Sequence, residues 1–232
     1  MIVKDSEGHV VGPNEVMHWR KREQMLPIDS DLKNILDTKH KAVAWLVSNC
    51  NSMSKREKFV QNLEREMAVH ELLLDTFGKC GKYTCGSKRL LLPDCWEVIQ
   101  SDYYFYLSFE NSFSKDYVTE KLLRPLQHYT VPIVYGSANY TRYMPDGAYL
   151  NAFELGAKKL AAEMKSIIDN KERYYNFFKW RNHYSYHDIS EDSATDNYCR
   201  LCAALHANDT RAKTEDIPFT DWWNSPFKCS KL

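Results

Sequence analysis

The chain has 232 residues, which is enough for one large domain or two small ones. Hydrophobic residues make up 44% of it and aromatic residues 13%, so it can bury a core and lacks the composition of a disordered chain. Lys and Arg together number 31, as do Asp and Glu, so the net charge is zero. This balance excludes the strongly basic field typical of nucleic-acid-binding domains, and we expect no nucleic-acid partner.

Hydropathy gives no sign of a membrane segment. The sequence has no run of about 18 consecutive apolar residues, the length needed for a membrane-spanning helix. Its N-terminal stretch, MIVKDSEGHVVGPNEV, contains no apolar core of the kind found in signal peptides. We therefore expect the chain as written to be soluble and to carry neither a signal peptide nor a transmembrane anchor.

The first predicted β-α unit follows a polar N-terminal segment. Residues 1–40 show no sustained periodicity and are predicted to form an irregular arm. The apolar run at 42–47, AVAWLV, is typical of a strand buried on both faces. After a polar loop, Ser54 and Glu57 match the spacing of a capping box, and the apolar positions behind them predict a helix over 55–69.

The same pattern recurs further along the chain. The aromatic segment 103–109 favours a strand, and a polar stretch then leads to a predicted helix over 117–128. Pro125 should kink this helix or end it early. The remaining predicted elements are a strand over 131–136 and helices over 155–170 and 171–182. Strands that alternate with helices predict an α/β fold with a parallel sheet.

The seven cysteines bear on the compartment in which the chain folds. Cys80 and Cys85 enclose a short loop, and Cys199 and Cys202 form a C-x-x-C; close pairs of this kind suit short disulfide loops in an oxidising compartment. A four-cysteine zinc site is the alternative, but it would need two C-x2-C knuckles and the sequence has one.

Other features also point to the secretory pathway. Asn139 and Asn208 begin N-x-T triplets and are candidate N-glycosylation sites. Spacing identifies no partner for Cys50, Cys95 or Cys229, so the disulfide connectivity stays open. The cysteines and triplets thus indicate a lumenal protein, whereas the N-terminus contains no signal for entering that compartment.

A ligand site is predicted where the first two β-α units meet. In an open parallel sheet, ligands bind outside the carboxyl ends of the strands, so the loops after 42–47 and 103–109 should share one crevice. A helix start offers free N–H groups to an anion, and Arg56 and Lys121 would add positive charge. A pyrophosphate fits such a crevice. The chain has no G-x-G-x-x-G or Walker motif, and lone cations near helix starts are often only solvated surface charges.

Several long motifs in this region occur in a familiar order. They are VAWLVSN at 43–49, FYLSFENS at 105–112, DYVTEKL at 116–122 and VPIVYG at 131–136. Together with Arg56 and the C-x-x-C at Cys199 and Cys202, they resemble the signature of the α1,3/4-fucosyltransferases, glycosyltransferase family ten. The resemblance covers residues 41 to about 205.

This resemblance implies the C-terminal half of a GT-B fold, which has two Rossmann-like domains and holds GDP-fucose mainly in the C-terminal one. Residues 41–205 would be that GDP-fucose-binding domain, 1–40 an arm left from the acceptor domain, and 206–232 a tail that packs on the domain through Trp222 and Trp223.

The resemblance also assigns roles to individual side chains. Arg56 and Lys121 are placed on the pyrophosphate, where fixed cations stabilise the charge that develops on the departing GDP. The residues implied around the phosphates, ribose and fucose are Ser48, Asn49, Tyr106, Asn111, Tyr117 and Glu120. No metal is required by this scheme, although a divalent ion is compatible with a stimulatory role. Asp29-Ser30-Asp31 has the form of a metal-binding D-x-D but lies outside the β-α units, so we interpret it as a solvated acidic turn.

The activity implied by the resemblance is inverting transfer of L-fucose from GDP-fucose to GlcNAc on glycoprotein glycans in the Golgi lumen. Family members normally carry an anchor, a stem and an acceptor domain that supplies a glutamate as general base. No such base motif is recognisable around Glu15 or Glu23. We therefore expect the chain alone to be a poor transferase. The alternatives are a fragment that binds GDP-fucose with little turnover, and an incomplete gene product that does not fold as written.

Overall fold

The computed structural model describes residues 2–7, 10–11, 17–86, 93–188, 191 and 197–206. In this part of the chain, parallel strands form a five-stranded sheet and antiparallel strands form a three-stranded one. The larger sheet contains β3 (Lys41–Leu46), β4 (Leu74–Phe77), β5 (Tyr103–Phe109), β6 (Val131–Tyr135) and β7 (Leu150–Asn151). The smaller sheet contains β1 (Ile2–Asp5), β2 (Val10–Val11) and β8 (Tyr184–His187). The helices are α1 (Ser30–Leu36), α2 (Arg56–Ala68), α3 (Cys95–Asp102), α4 (Glu120–Gln127), α5 (Ala152–Ile168), α6 (Lys171–Tyr175) and α7 (Asn197–His206).

The strand order of the larger sheet determines where a ligand can bind. The order is β4-β3-β5-β6-β7, with every neighbouring pair parallel. The chain enters the sheet at β3, adds β4 on one side, and then crosses over to add the remaining strands on the other side. This is the flavodoxin-like doubly wound order, whose direction of winding reverses between β3 and β5. The predicted α/β class with a Rossmann-like parallel sheet is confirmed.

Both faces of the sheet are covered because the central strands alternate between two apolar surfaces. Val43 and Trp45 of β3 belong to the core that contains the buried apolar residues of α2 and α5. Ala44, between them, packs with Ile99 of α3 and Tyr106 of β5 on the opposite side. A strand enclosed in this way must be apolar at every position, which explains the uninterrupted apolar run that predicted it.

Most predicted elements of the larger sheet lie close to their observed positions. β5 has the predicted bounds, β3 and α2 differ from prediction by one residue at each end, and β6 ends one residue earlier than predicted. α4 begins three residues later than predicted and ends two residues after Pro125, which lacks the N–H that would bond the carbonyl of Lys121. The predicted helix over 171–182 is α6 followed by a 3₁₀ segment, Asn176–Asn182. α5 begins at Ala152 and is kinked at Gly156, whose φ is +70°.

The N-terminal segment contains regular structure that the sequence did not predict. β1 pairs with β8 in antiparallel register, with Val3 opposite Tyr186. α1 begins at its N-cap Asp29, whose carboxylate accepts a hydrogen bond from the Leu32 N–H at 2.8 Å. The acidic triplet at 29–31 is therefore the start of a helix rather than an isolated turn. The boundaries proposed for the arm and the tail remain predictions, and Trp222 and Trp223 lie outside the described residues.

Candidate functional site

A cleft lies at the carboxyl end of β3 and β5, where the winding of the sheet reverses. Its volume is about 350 Å³. Its walls come from the loop after β3, the start of α2, the strand β5 and the loop behind it, and the helices α3 and α4. The lining residues are Leu46, Val47, Ser48, Asn49, Arg56, Trp96, Tyr106, Asn111, Glu120, Lys121 and Arg124. A ligand of an open parallel sheet binds at just such a reversal point.

Seven of the eight side chains singled out from the sequence line this cleft. They are Ser48, Asn49, Arg56, Tyr106, Asn111, Glu120 and Lys121. The eighth, Tyr117, does not line it; this residue precedes α4, is half-buried, and donates its N–H to the Ser114 carbonyl at 3.2 Å. The crevice predicted from the two loops and the family resemblance together singled out these side chains, which come from three separate stretches of the chain, and their roles in binding remain predictions.

The loop between β3 and α2 is attached to the end of β5 by backbone and side-chain bonds. The Ser54 N–H donates to the Asn111 carbonyl at 2.9 Å, and the Ser54 hydroxyl donates to the Glu110 carbonyl at 2.7 Å. The predicted capping box between Ser54 and Glu57 is wrong, because the Glu57 carboxylate instead accepts from the N–H and hydroxyl of Ser52, each at 3.0 Å. These contacts fix the position of the loop relative to the neighbouring strand.

Arg56 is almost fully buried and joins the two loops. Its side chain is 3% exposed, and its guanidinium donates to the Phe109 carbonyl at 2.5 Å and to the Asn49 carbonyl at 3.2 Å. The Glu57 carboxylate lies 3.5 Å from Nε, and the guanidinium lies over the ring of Trp45 at 5.5 Å. Burial lowers the pKa of Arg56, and the charge of Glu57 opposes that shift. Because it is so strongly anchored, Arg56 is a structural residue as well as a cation of the cleft.

Two buried polar atoms of cleft residues have no hydrogen-bond partner among the described residues. They are Oδ1 of Asn111 and Nε of Arg56, although the latter has the Glu57 carboxylate at 3.5 Å as an ion-pair partner. Buried donors and acceptors are nearly always paired, so such atoms call for a ligand or another partner. The atom without any such contact is Oδ1 of Asn111, an acceptor that suits a ligand carrying hydroxyl groups.

Lys121 lies on the first turn of α4 among three polar neighbours. Its Nζ donates to the Thr119 hydroxyl at 2.9 Å and to Glu120 Oε1 at 3.0 Å, and lies 3.5 Å from Glu110 Oε2. Burial raises the pKa of Glu110, although the charge of Lys121 opposes the shift. For Glu120, burial acts in the same direction, but the hydrogen bond and charge of Lys121 outweigh it and the pKa lies below its usual value.

Comparison with known proteins identifies the family. The family model described as glycosyltransferase family 10 (fucosyltransferase), C-terminal, matches residues 36–222. The chain belongs to glycosyltransferase family 10. This match covers most of the chain and confirms the resemblance drawn from the motifs in the loops of the cleft.

The family-10 relatives include two curated proteins of Drosophila melanogaster. Alpha-(1,3)-fucosyltransferase C is 35% identical over 218 residues, which cover 92% of this chain and 47% of that protein. Glycoprotein 3-alpha-L-fucosyltransferase A is 32% identical over 226 residues, which cover 95% of this chain and 42% of that protein. The chain thus spans about half the length of the curated relatives it matches. A crystal structure of an alpha1,3-fucosyltransferase with GDP-fucose aligns with a TM-score of 0.48 and 21% identity, over 62% of this chain and 40% of that one.

Two residues of the family-10 cleft with aromatic or charged side chains, Trp96 and Arg124, were missed by the sequence analysis. Trp96 lies on α3, which was not predicted; its ring is 4.7 Å from that of Tyr106 and is stacked on His128 at 5.1 Å. Arg124 lies on α4 three residues after Lys121, a helical spacing that could have placed it on the same side. Burial raises the pKa of Tyr106, so this phenol is a neutral hydrogen-bonding group of the cleft.

The disulfides differ from the predicted close pairs. Cys80 is bonded to Cys50, and Cys85 is bonded to Cys95. The short loop between Cys80 and Cys85 is therefore not closed by a disulfide, because each cysteine lies beside a partner that the folding of the sheet brings to it. Cys50 belongs to the loop of the cleft, so its bond to Cys80 ties that loop to the chain after β4.

The second predicted close pair is wrong as well. Cys199 and Cys202 both lie on α7 and are exposed, and the structure does not join them to each other. Cys229, the candidate glycosylation site Asn208 and Glu15 lie outside the described residues. The other candidate glycosylation site, Asn139, is exposed, and its Oδ1 accepts from the Thr141 hydroxyl at 2.7 Å.

The part of the chain that the structure describes contains neither a cluster of metal-ligating side chains nor a membrane-spanning helix. No group of three or more His, Cys, Asp or Glu side chains there has an arrangement that could hold a metal ion. None of the described helices is both long enough and apolar enough to cross a membrane.

Proposed function

We propose that the chain is the donor-binding part of an α1,3-fucosyltransferase that transfers L-fucose from GDP-fucose to GlcNAc on glycoprotein glycans, with inversion at the fucose. The family assignment supports fucosyl transfer in general. The observation that carries the donor assignment is the cleft itself, which gathers seven motif side chains at the reversal point of a doubly wound sheet.

The charges of the cleft fit a nucleotide diphosphate. Arg56, Lys121 and Arg124 supply three cations, and Glu120 supplies an exposed carboxylate beside Lys121. Positive groups fixed in advance stabilise the negative charge that develops on GDP as the bond to fucose breaks. The unpaired Oδ1 of Asn111 is an acceptor available to a sugar hydroxyl. In this proposal the residues of the chain hold the leaving group, and the chain has no assigned general base.

Calorimetric titration with GDP and GDP-fucose tests this proposal. We expect saturable binding to the wild-type chain and a Kd about ten to one hundred times higher for Lys121→Ala, because one charge-assisted hydrogen bond to phosphate is lost. The matched control is Lys158→Ala, which removes an exposed lysine of α5 outside the cleft and should leave the Kd unchanged. Equal weakening by both variants, or no binding by a folded wild-type chain, would exclude this cleft as the donor site.

Turnover distinguishes the transferase from a chain that only binds its donor. If the chain is a transferase by itself, incubation with GDP-fucose and an N-glycan that carries terminal GlcNAc yields a fucosylated glycan, detected by mass spectrometry, at a low rate because the chain has no assigned general base. Saturable donor binding without product would favour the alternative function, a donor-binding fragment with little turnover. For the whole protein, the family resemblance further supports a Golgi location and a glycoprotein acceptor.

A further inference from the structure

We propose that Thr119 is a positioning residue for Lys121: its hydroxyl connects the Lys121 ammonium to the buried Glu110 carboxylate and so holds the cation in the cleft before the donor arrives. This inference deepens the proposed function and rests on it for the identity of the ligand. It concerns a side chain that does not itself line the cleft.

The geometry forms a continuous chain of hydrogen bonds. Nζ of Lys121 donates to Oγ1 of Thr119 at 2.9 Å, and this hydroxyl in turn lies 2.8 Å from one carboxylate oxygen of Glu110 and 3.0 Å from the other. A hydroxyl has one proton to donate and lone pairs to accept with, so Thr119 can serve both neighbours at once. The direct distance from Lys121 Nζ to Glu110 Oε2 is 3.5 Å, longer than either step through the hydroxyl.

The hydroxyl of Thr119 is diverted from the role that its position would normally give it. Thr119 is the N-cap of α4, where a threonine hydroxyl usually accepts a hydrogen bond from an N–H of the first turn. Here it makes no such cap bond. The Thr119 N–H is separately bound by Glu110 Oε1 at 2.9 Å, so the backbone is held without the hydroxyl. The hydroxyl is therefore available for the contact with Lys121.

The buried carboxylate of Glu110, rather than the exposed one of Glu120, fixes the position of Lys121. The Glu110 side chain is 2% exposed, whereas that of Glu120, the other carboxylate beside Lys121, is 66% exposed. Exposed ion pairs contribute little to stability and do not hold a side chain in one position. A buried carboxylate with several hydrogen bonds does hold its partner in position. A lysine that is already held loses less side-chain freedom when the ligand binds, and this raises affinity.

The test compares two substitutions at residue 119 by GDP titration. Thr119→Val keeps the shape and removes the hydroxyl, and we expect it to raise the Kd about three- to tenfold. Thr119→Ser keeps the hydroxyl and should bind as the wild type does. Thermal unfolding of each variant checks the fold, and Thr119→Ala replaces the valine variant if the latter does not fold. Wild-type affinity in a folded Thr119→Val protein would overturn the inference.

A double substitution separates positioning from a general structural effect. If Thr119 acts through Lys121, then Thr119→Val should not weaken GDP binding further in a Lys121→Ala background. If both losses add in full, the two residues act independently and the inference is wrong.

A measurement without ligand keeps the inference distinct from the proposed function. Competitive acetylation, quantified by mass spectrometry, should show a severalfold higher reactivity of the Lys121 amine in Thr119→Val, with Lys158 unchanged. Should the wild-type chain bind no GDP while this rise is seen, the donor assignment fails but the positioning stands. Unchanged reactivity of Lys121 would refute the positioning whatever GDP does.

Discussion

Replacement of Arg56 by methionine is expected to lower the free energy of unfolding by about 2–5 kcal/mol. Methionine keeps an apolar stem but removes the donors to the Phe109 and Asn49 carbonyls, which lose their bonds to the guanidinium. The same change removes the cation beside Glu57. Equilibrium unfolding in urea, followed by tryptophan fluorescence and circular dichroism, measures the loss.

The control for this experiment lies on the same helix. Arg65 is exposed on α2 and contacts Asn62 Oδ1 at 3.4 Å, so Arg65→Met should change the unfolding free energy by less than about 0.5 kcal/mol. Arg56→Lys keeps the charge but cannot reproduce the planar fork that reaches two carbonyls, and it should remain clearly destabilised. If Arg56→Met and Arg65→Met unfold at the same urea concentration, the structural role assigned to Arg56 is wrong.

Loss of the disulfide between Cys50 and Cys80 is the second change with a large expected effect. The two cysteines are 30 residues apart, and a cross-link of that span stabilises by about 3–4 kcal/mol through its restriction of the unfolded chain. The variant with Cys50→Ser and Cys80→Ser should be destabilised by that amount in urea. Its affinity for GDP should also fall, because Cys50 anchors the loop that carries Ser48 and Asn49.

The other disulfide supplies the comparison. Cys85 and Cys95 are 10 residues apart, so the variant with Cys85→Ser and Cys95→Ser should lose about 2–3 kcal/mol, less than the first variant. Mass spectrometry under non-reducing conditions verifies which bond is intact in each protein. The assigned stabilising role of the two disulfides would be contradicted if removal of the shorter cross-link lowered the unfolding free energy more than removal of the longer one. It would also be contradicted if removal of the longer one had no effect.

The central strands were predictable because each is buried on both faces and therefore has an apolar run of its own. β4 was missed since it is a short edge strand in which Asp75 and Thr76 interrupt the apolar pattern. β7 has two residues, too few for any periodicity. β1 and β8 lie far apart in the sequence and pair only in the folded chain, so the residues of neither strand indicate which strand it pairs with. Propensity and spacing do not encode such long-range pairing.

The members of the cleft were predictable, but their individual environments were not. The rule that loops at the carboxyl ends of parallel strands meet was sufficient to collect Arg56, Asn111 and Lys121. It could not indicate that Arg56 is bound to the backbone carbonyls of Phe109 and Asn49, because every residue has a backbone carbonyl and the sequence does not mark which ones a side chain will reach. Spacing also misassigned the disulfide partners, since nearness along the chain is only one way for two cysteines to meet.

The pairing of β1 with β8 has a consequence for the order in which the chain folds during synthesis. β1 leaves the ribosome before β8 and can form its local hairpin with β2, but its other edge waits for Tyr184–His187. At a translation rate of 5–20 residues per second, that interval is roughly 10–40 s. Throughout it the nascent chain presents an open strand edge, a surface prone to pair with other molecules. The small sheet is thus completed only after all strands of the larger sheet have been synthesised, and protection of this edge by chaperones during that interval should raise the yield of folded protein.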